Sequence, residues 1–219
     1  MTELNKRIIT SFFLLSVVFI AFFNIYLLCF LIIFINYLSL DEFNNIYKEI
    51  YMEKKKIRFV YFCITTIYMI YFSLVIILFL IQSFEINKLQ IMFILLICIS
   101  SDIGGFVFGK IIGGKKLTSI SPKKTYSGLL GSFITSYLIG LIIYNLLEVK
   151  ILISLNIFIF IFLISLISQS GDLFISIFKK KAKIKDTGSI LPGHGGILDR
   201  IDGILFALPV GIIIINIFS

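Results

Sequence analysis

The residues of this chain that could carry chemistry are concentrated in one segment. From Lys179 to Asp202 it reads Lys-Lys-Lys-Ala-Lys-Ile-Lys-Asp-Thr-Gly-Ser-Ile-Leu-Pro-Gly-His-Gly-Gly-Ile-Leu-Asp-Arg-Ile-Asp. It holds the chain's only histidine, His194, flanked by Gly193, Gly195 and Gly196. Asp186, Asp199 and Asp202 stand among Lys179, Lys180, Lys185 and Arg200. Carboxylates beside lysines point to a divalent cation handled together with phosphates, because Mg²⁺ takes carboxylate and phosphate oxygens. Glycines around the histidine let backbone approach a ligand closely. Zinc is disfavoured, since one His with no nearby Cys supplies too few soft ligands. A second segment, Ser121-Pro-Lys-Lys-Thr-Tyr-Ser-Gly128, couples a turn proline and a helix start to two lysines. Ser121, Lys124 and Thr125 are its candidates, since a helix N-terminus with lysine beside it suits a phosphate. Taken alone, that segment reads better as a solvated basic loop.

The elements that must position these residues are membrane helices. Of 219 residues, 59% are hydrophobic and only 15% charged, and the mean hydropathy is +1.08. A soluble protein of this size could not hide so much apolar surface, so the chain is expected to be solvated by lipid. The run from Ile8 to Leu40 is too long for one span of about 20 residues. With Asn24 at its middle it is read as two short helices in a hairpin. Further spans are expected at 59–81, 91–109, 128–147, 151–178 and 203–218, making seven in an all-α, polytopic protein. The first span follows Lys6 and Arg7 as a secretory signal would, but Phe22 and Phe23 stand where small cleavage-site residues are needed, so it is read as retained. Residues 1–58 are expected to form an N-terminal hairpin with a cytoplasmic loop, and 59–219 a single catalytic membrane domain.

Charge supports this topology. With the N-terminus inside, the inner segments 1–7, 41–58, 110–127 and 179–202 hold 18 of the 20 Lys and Arg. The positive-inside rule demands such a bias. The net charge of +8 is thereby mostly accounted for without nucleic acid as a partner. Cys29, Cys63 and Cys98 all lie in apolar runs with no paired spacing, which argues against a metal or disulfide framework.

Ionisable residues inside a span cost roughly 2.5–3.5 kcal/mol on insertion scales, so each calls for a function. Asp102 and Asp172 are such residues. At about 100° per residue, Ser165, Ser168, Ser176 and Lys179 all fall within about 40° of Asp172. That polar stripe reads as the wall of a wet cleft, against the plainer reading of a serine-glued helix contact. Asp102 heads a second stripe with Gly105, Gly109 and Gly113. The glycines read as close helix packing, whereas Asp102 could neutralise a lysine, a cation or a phosphate-bound metal. Gly128, Gly131, Ser132, Ser136 and Gly140 read as packing, and their stripe could also support a homodimer.

At the 176–202 segment the sequence resembles the phosphatidate cytidylyltransferase (CDP-diglyceride synthase) family. The family pattern is met by Ser176, Lys179, Lys180, Lys185, Asp186, Pro192 to Gly196, Asp199, Arg200 and Asp202. It extends through Gly171-Asp172-Leu173, Ser121-Pro122, Lys124-Thr125, Gly128, and Asp102 with Gly104, covering roughly residues 99 to 209. Ser127 departs from a position that is often Glu or Gln in relatives, and Gly105-Phe106 from a common Ala-Tyr. The resemblance implies cytidylyl transfer from CTP to phosphatidate, with Mg²⁺ and room for a second cation. It implies Asp172 and Asp199 as metal ligands with Asp202 in support. Ser176, Lys179, Lys180, Lys185 and Arg200 would hold phosphates, and His194, Asp186 and the Ser121–Thr125 loop would shape the nucleotide pocket. It further implies a bacterial cytoplasmic membrane, with the site facing the cytoplasm.

Three rivals differ in chemistry. A CTP-dependent lipid or polyprenol kinase would use a similar membrane site. A CDP-alcohol phosphotransferase would need aspartate pairs four apart on a helix, whereas Asp199 and Asp202 are three apart after a glycine loop. An ion-coupled transporter using Asp102 and Asp172 gives no reason for the His-Gly-Gly loop.

Overall fold

A hydrophobic chain that must leave no backbone group unpaired in lipid has helix as its natural solution, and helix dominates here. The computed structural model of the chain describes residues 3–118, 121, 124–146, 155–193 and 195–218. Its helices are α1 (Glu3–Ala21), α2 (Ile25–Ile50), α3 (Lys55–Gln82), α4 (Phe84–Ile111), α5 (Tyr126–Leu146), α6 (Ile157–Ala182), a short α7 (Leu198–Ile201) and α8 (Ile204–Phe218). Among the described residues the only β pairings are two isolated bridges, Lys116 with Thr125 and Leu191 with Gly195. Among the described residues six helical segments, 25–50, 55–82, 84–111, 126–146, 157–182 and 198–218, are long and apolar enough to cross a membrane, and Ile8–Ala21 is a shorter apolar helix. The chain is a multi-pass membrane protein.

The long first apolar run breaks at Asn24, as its polar amide suggests. Asn24 takes an extended conformation and its side-chain oxygen accepts from the Tyr26 amide at 2.8 Å, capping α2. An Asn at this position satisfies an orphan N–H that an apolar residue would leave bare. Two boundaries differ most from the sequence reading. Helix α2 continues past Leu40 to Ile50, so the first part of the expected 41–58 loop is helical. The reason is a buried stripe that outlasts the apolar run: Asn36, Ser39, Glu42, Phe43, Ile46 and Tyr47 recur at helical spacing. Helix α4 likewise starts at Phe84 rather than near residue 91, with Asn87 and Gln90 buried in its first turns.

The chain divides into two compact units. One comprises 1–81 with 178–201, the other 82–177 with 202–219. The boundary drawn at residue 58 falls inside the first. In that unit Met69, Phe72, Ile76, Phe79 and Leu80 of α3 are buried with Ile46 and Tyr47 of α2. The buried Asn36 amide donates to the Met69 carbonyl at 2.6 Å and to the Ser73 hydroxyl.

The second unit is built on close helix contact. A Cβ at Gly104 would overlap Thr135, and one at Gly105 would lie 2.7 Å from the Ser132 hydroxyl oxygen. Gly128 and Gly131 of α5 face Gly105 and Phe108 of α4 in the same way, and Gly140 faces Ile161 of α6. Without a hydrophobic drive between helices in lipid, such small-residue contact is what holds them. The α5 stripe is therefore packed against α4 and α6 within the chain. Gly113 does not belong to the α4 stripe: it lies beyond Ile111, with φ of +64° and open space around it. Phe93 and Phe160 stack with centroids 6.0 Å apart in this core.

Candidate active site

The stretch from 179 to 201 folds as a tied loop in the first unit. Helix α6 ends with Lys183 in the left-handed region, φ 56°. Ile184 N donates to Lys179 O at 3.1 Å and Lys183 N to Lys180 O at 3.2 Å, the paired bonds of a Schellman stop. Further on, Leu191 and Gly195 exchange both backbone bonds at 2.9 and 3.1 Å, pinching Pro192 and Gly193 into a tight hairpin. Gly193 and Gly195 have φ of +78° and +84°, which is why glycine is needed at each. The Thr10 hydroxyl of α1 donates to the Pro192 carbonyl at 3.0 Å. His194 lies outside the described residues.

Two carboxylates hold this loop. Asp199 Oδ1 takes the Lys179 ammonium at 2.8 Å, and its Oδ2 takes the amides of Thr187 at 2.8 Å and Gly196 at 3.2 Å. The second carboxylate is Glu42, from α2, only 2% exposed. Its Oε2 accepts from the Thr187 hydroxyl at 2.7 Å and the Leu198 amide at 2.9 Å, and its Oε1 from the Ile197 amide at 2.9 Å. Thr187 thus bridges the two, its amide on Asp199 and its hydroxyl on Glu42. A Cβ on Gly196 would meet Thr187 Oγ1 and come within 2.5 Å of Glu42 Oε2, and one on Gly188 would lie 2.7 Å from Glu42 Oε1. Close approach at Gly196, expected for a ligand, is thus already required by the protein's own Glu42. Around this core Lys180, Lys185, Asp186 and Arg200 are exposed.

The second unit carries the other half of the candidates. Asp172 of α6 forms an ion pair with Lys124, and the Ser176 hydroxyl lies 3.4 Å from its Oδ1, too long for a strong bond. Both charged side chains keep about a quarter of their surface accessible, 29% for Asp172 and 25% for Lys124. Asp102 of α4 is exposed and feels the charges of both Asp172 and Lys124. Lys124 is held by a small hairpin: Leu117 N donates to Lys124 O at 2.8 Å and Lys124 N to Ser121 O at 3.0 Å. Thr125 caps α5, its hydroxyl oxygen accepting from the Gly128 amide at 3.1 Å and pairing with Ser127 Oγ at 2.9 Å. Half-buried Ser121 sits in the same turn, its amide donating to Thr118 Oγ1 at 3.2 Å. Asp202 is buried, with Oδ1 accepting from the Gly203 amide at 2.9 Å. Its backbone oxygen faces Gly171 of α6, where a Cβ would lie 2.8 Å away. In the same wall Ser101 and Ser165 share a hydrogen bond of 2.9 Å.

The structure therefore joins Lys179 with Asp199 in one unit, and Lys124, Asp102 and Ser176 with Asp172 in the other. Among the described residues no three His, Cys, Asp or Glu gather as a metal cage. Mg²⁺ does not need one, since it is commonly held by one or two carboxylates plus waters and substrate phosphates. Asp102 and Asp172, partly open and within reach of each other's charge, supply hard oxygens of that kind and fit such an ion. Sequence reasoning missed Glu42, Thr187 and Thr10. Glu42 had a signal: continued at helical spacing from Asn36 and Ser39, it falls on the buried face of α2.

Comparison with known proteins gives this arrangement a family. The sequence model of the cytidylyltransferase family matches residues 46–218. A Rickettsia typhi protein curated as phosphatidate cytidylyltransferase is 42% identical over 132 residues, 58% of this chain and 58% of the relative. Proteins of the same name from Helicobacter pylori and Staphylococcus saprophyticus are 40% and 42% identical over 56% and 54% of this chain, and 45% and 46% of their own length. The chain spans about half the length of the curated relatives it matches.

Proposed function

The chain belongs to the cytidylyltransferase family, and on that premise we propose that it transfers a cytidylyl group from CTP to phosphatidate, giving CDP-diacylglycerol and pyrophosphate for phospholipid synthesis. The relatives' shared name supports the substrates. The observation that carries the reading is the 183–201 loop: a glycine-rich turn locked by buried carboxylates, with Lys180, Lys185 and Arg200 exposed around it. That is a preorganised cationic surface beside a membrane, which is what two anions that repel each other require.

In this mechanism a phosphate oxygen of the lipid attacks the α-phosphorus of CTP in line. The bond to the β-phosphate oxygen breaks, and pyrophosphate leaves with the electron pair. No side-chain nucleophile takes part, so catalysis is positioning and charge neutralisation. Lys180, Lys185 and Arg200 hold phosphate oxygens. Lys179, fixed by Asp199, keeps donors to spare, because an ammonium has three. His194 and Asp186 are the loop's proposed nucleotide contacts. Lys124 holds Asp172 in place at a partly open carboxylate pair with Asp102. Asp172 and Asp102 would hold the Mg²⁺, which would supply charge neutralisation on the phosphates, while Asp199, its oxygens taken by Lys179 and two amides, orders the loop. The protein works from a bacterial cytoplasmic membrane with this surface toward the cytosol.

The test is direct. Purified protein with labelled CTP, phosphatidate and Mg²⁺ should yield CDP-diacylglycerol and pyrophosphate in equal amounts. Release of CDP with a newly phosphorylated lipid would replace this reading with a kinase.

A further inference from the structure

Glu42 precedes the region matched by the family model and lies in α2, yet it is the most completely enclosed carboxylate in the loop's surroundings. We infer that Glu42 is a positioning residue: its buried carboxylate clamps the 187–198 loop and, through Thr187, fixes the orientation of Asp199. The clamp has three donors, the Thr187 hydroxyl and the Ile197 and Leu198 amides, at 2.7, 2.9 and 2.9 Å. Two of these are the amides at the start of α7, which no preceding turn could satisfy. Thr187 passes the constraint on, because its amide binds the same Asp199 oxygen that Gly196 binds. The glycines at 188 and 196 complete the case, since any side chain there would drive into the Glu42 carboxylate. A buried glutamate held only for stability would need its donors but not a residue whose two groups bridge to a second carboxylate. The catalytic consequence of this inference rests on the cytidylyltransferase reading; its structural part does not.

The experiment uses the full chain in lipid nanodiscs, with Glu42→Gln, Thr187→Val and Thr187→Ser. Amide exchange is followed over 186–200 and, as an internal reference, over 84–111. Glu42→Gln keeps the volume but turns one acceptor into a donor facing donors. Exchange over 186–200 is expected to rise at least about tenfold in Glu42→Gln and Thr187→Val, with 84–111 unchanged. Thr187→Ser, which restores the hydroxyl, should stay near wild type. In parallel, kcat at saturating CTP should fall at least about tenfold in the first two variants and recover in the third, with KM for CTP shifting less than about threefold. If Glu42→Gln does not fold, the Thr187 pair carries the test alone. Unchanged exchange over 186–200 overturns the clamp. Raised exchange with unchanged kcat in an active protein overturns the positioning role. Should wild type make no CDP-diacylglycerol, the functional reading falls, and the exchange result still decides the clamp.

Discussion

Asp172 and Asp199 look equivalent in the sequence: both lie in the stretch that meets the family pattern, and both were expected to bind the same ion. The structure gives them opposite settings. Asp199, with a side chain 7% exposed, is wrapped by a lysine and two backbone amides. Asp172, 29% exposed, has one lysine and a distant serine. A carboxylate accepting several donors is committed to shaping its surroundings, whereas one with open oxygens is available to a ligand. The difference teaches that an aspartate in a motif can serve by being saturated as well as by being vacant.

Substitutions can break or sharpen this contrast. The largest combined effect is expected for Asp199→Asn, which trades an acceptor oxygen for a donor facing Lys179 or the Thr187 and Gly196 amides. Turnover should drop by about a thousandfold or more, and stability by about 1–3 kcal/mol; a thermal melt in detergent beside the labelled-CTP assay checks both. Asp172→Asn should cost similar turnover with little stability, since its partners are partly solvated and surface-like pairs contribute about 0–1 kcal/mol. An Asp172→Asn protein that melted well below wild type, or kept full activity, would erase the distinction. Gly196→Ala comes next: pushing a methyl toward Glu42 and Thr187 should destabilise by about 1–3 kcal/mol, read as a lower melting temperature. Smallest is Ser176→Ala. Its 3.4 Å contact with Asp172 is too long to matter much, so kcat/KM for CTP should change less than about threefold. A tenfold loss there would mean that the serine touches substrate.

Much of this fold was legible in the sequence because its causes are local. The break at Asn24 needs only a polar amide in an apolar run, and the α4–α5 contact needs only glycines at helical spacing. Lys179 and Asp199 fell inside one motif, although they were assigned to phosphate and metal rather than to each other. The bond between Glu42 and Thr187 was not legible, because the two are 145 residues apart in the chain and no spacing rule reaches that far. The extension of α2 was missed for a related reason: Glu42 was read as a loop charge, when burial against distant amides makes it part of a helix face. Thr10, bound to a carbonyl 182 residues away, carries no local mark at all.

That separation has a consequence for how the protein is made. At synthesis rates of about 5–20 residues per second, the 145 residues between Glu42 and Thr187 take roughly 7–30 s to emerge. Throughout that interval a carboxylate destined for enclosure sits in a nascent chain with none of its donors yet translated. Water, lipid headgroups or a biogenesis factor must satisfy it meanwhile, and arrival of the glycine turn displaces them. Ribosome pausing inside this window would therefore prolong the exposure of an acidic membrane segment to quality-control proteases, a vulnerability absent from any finished copy.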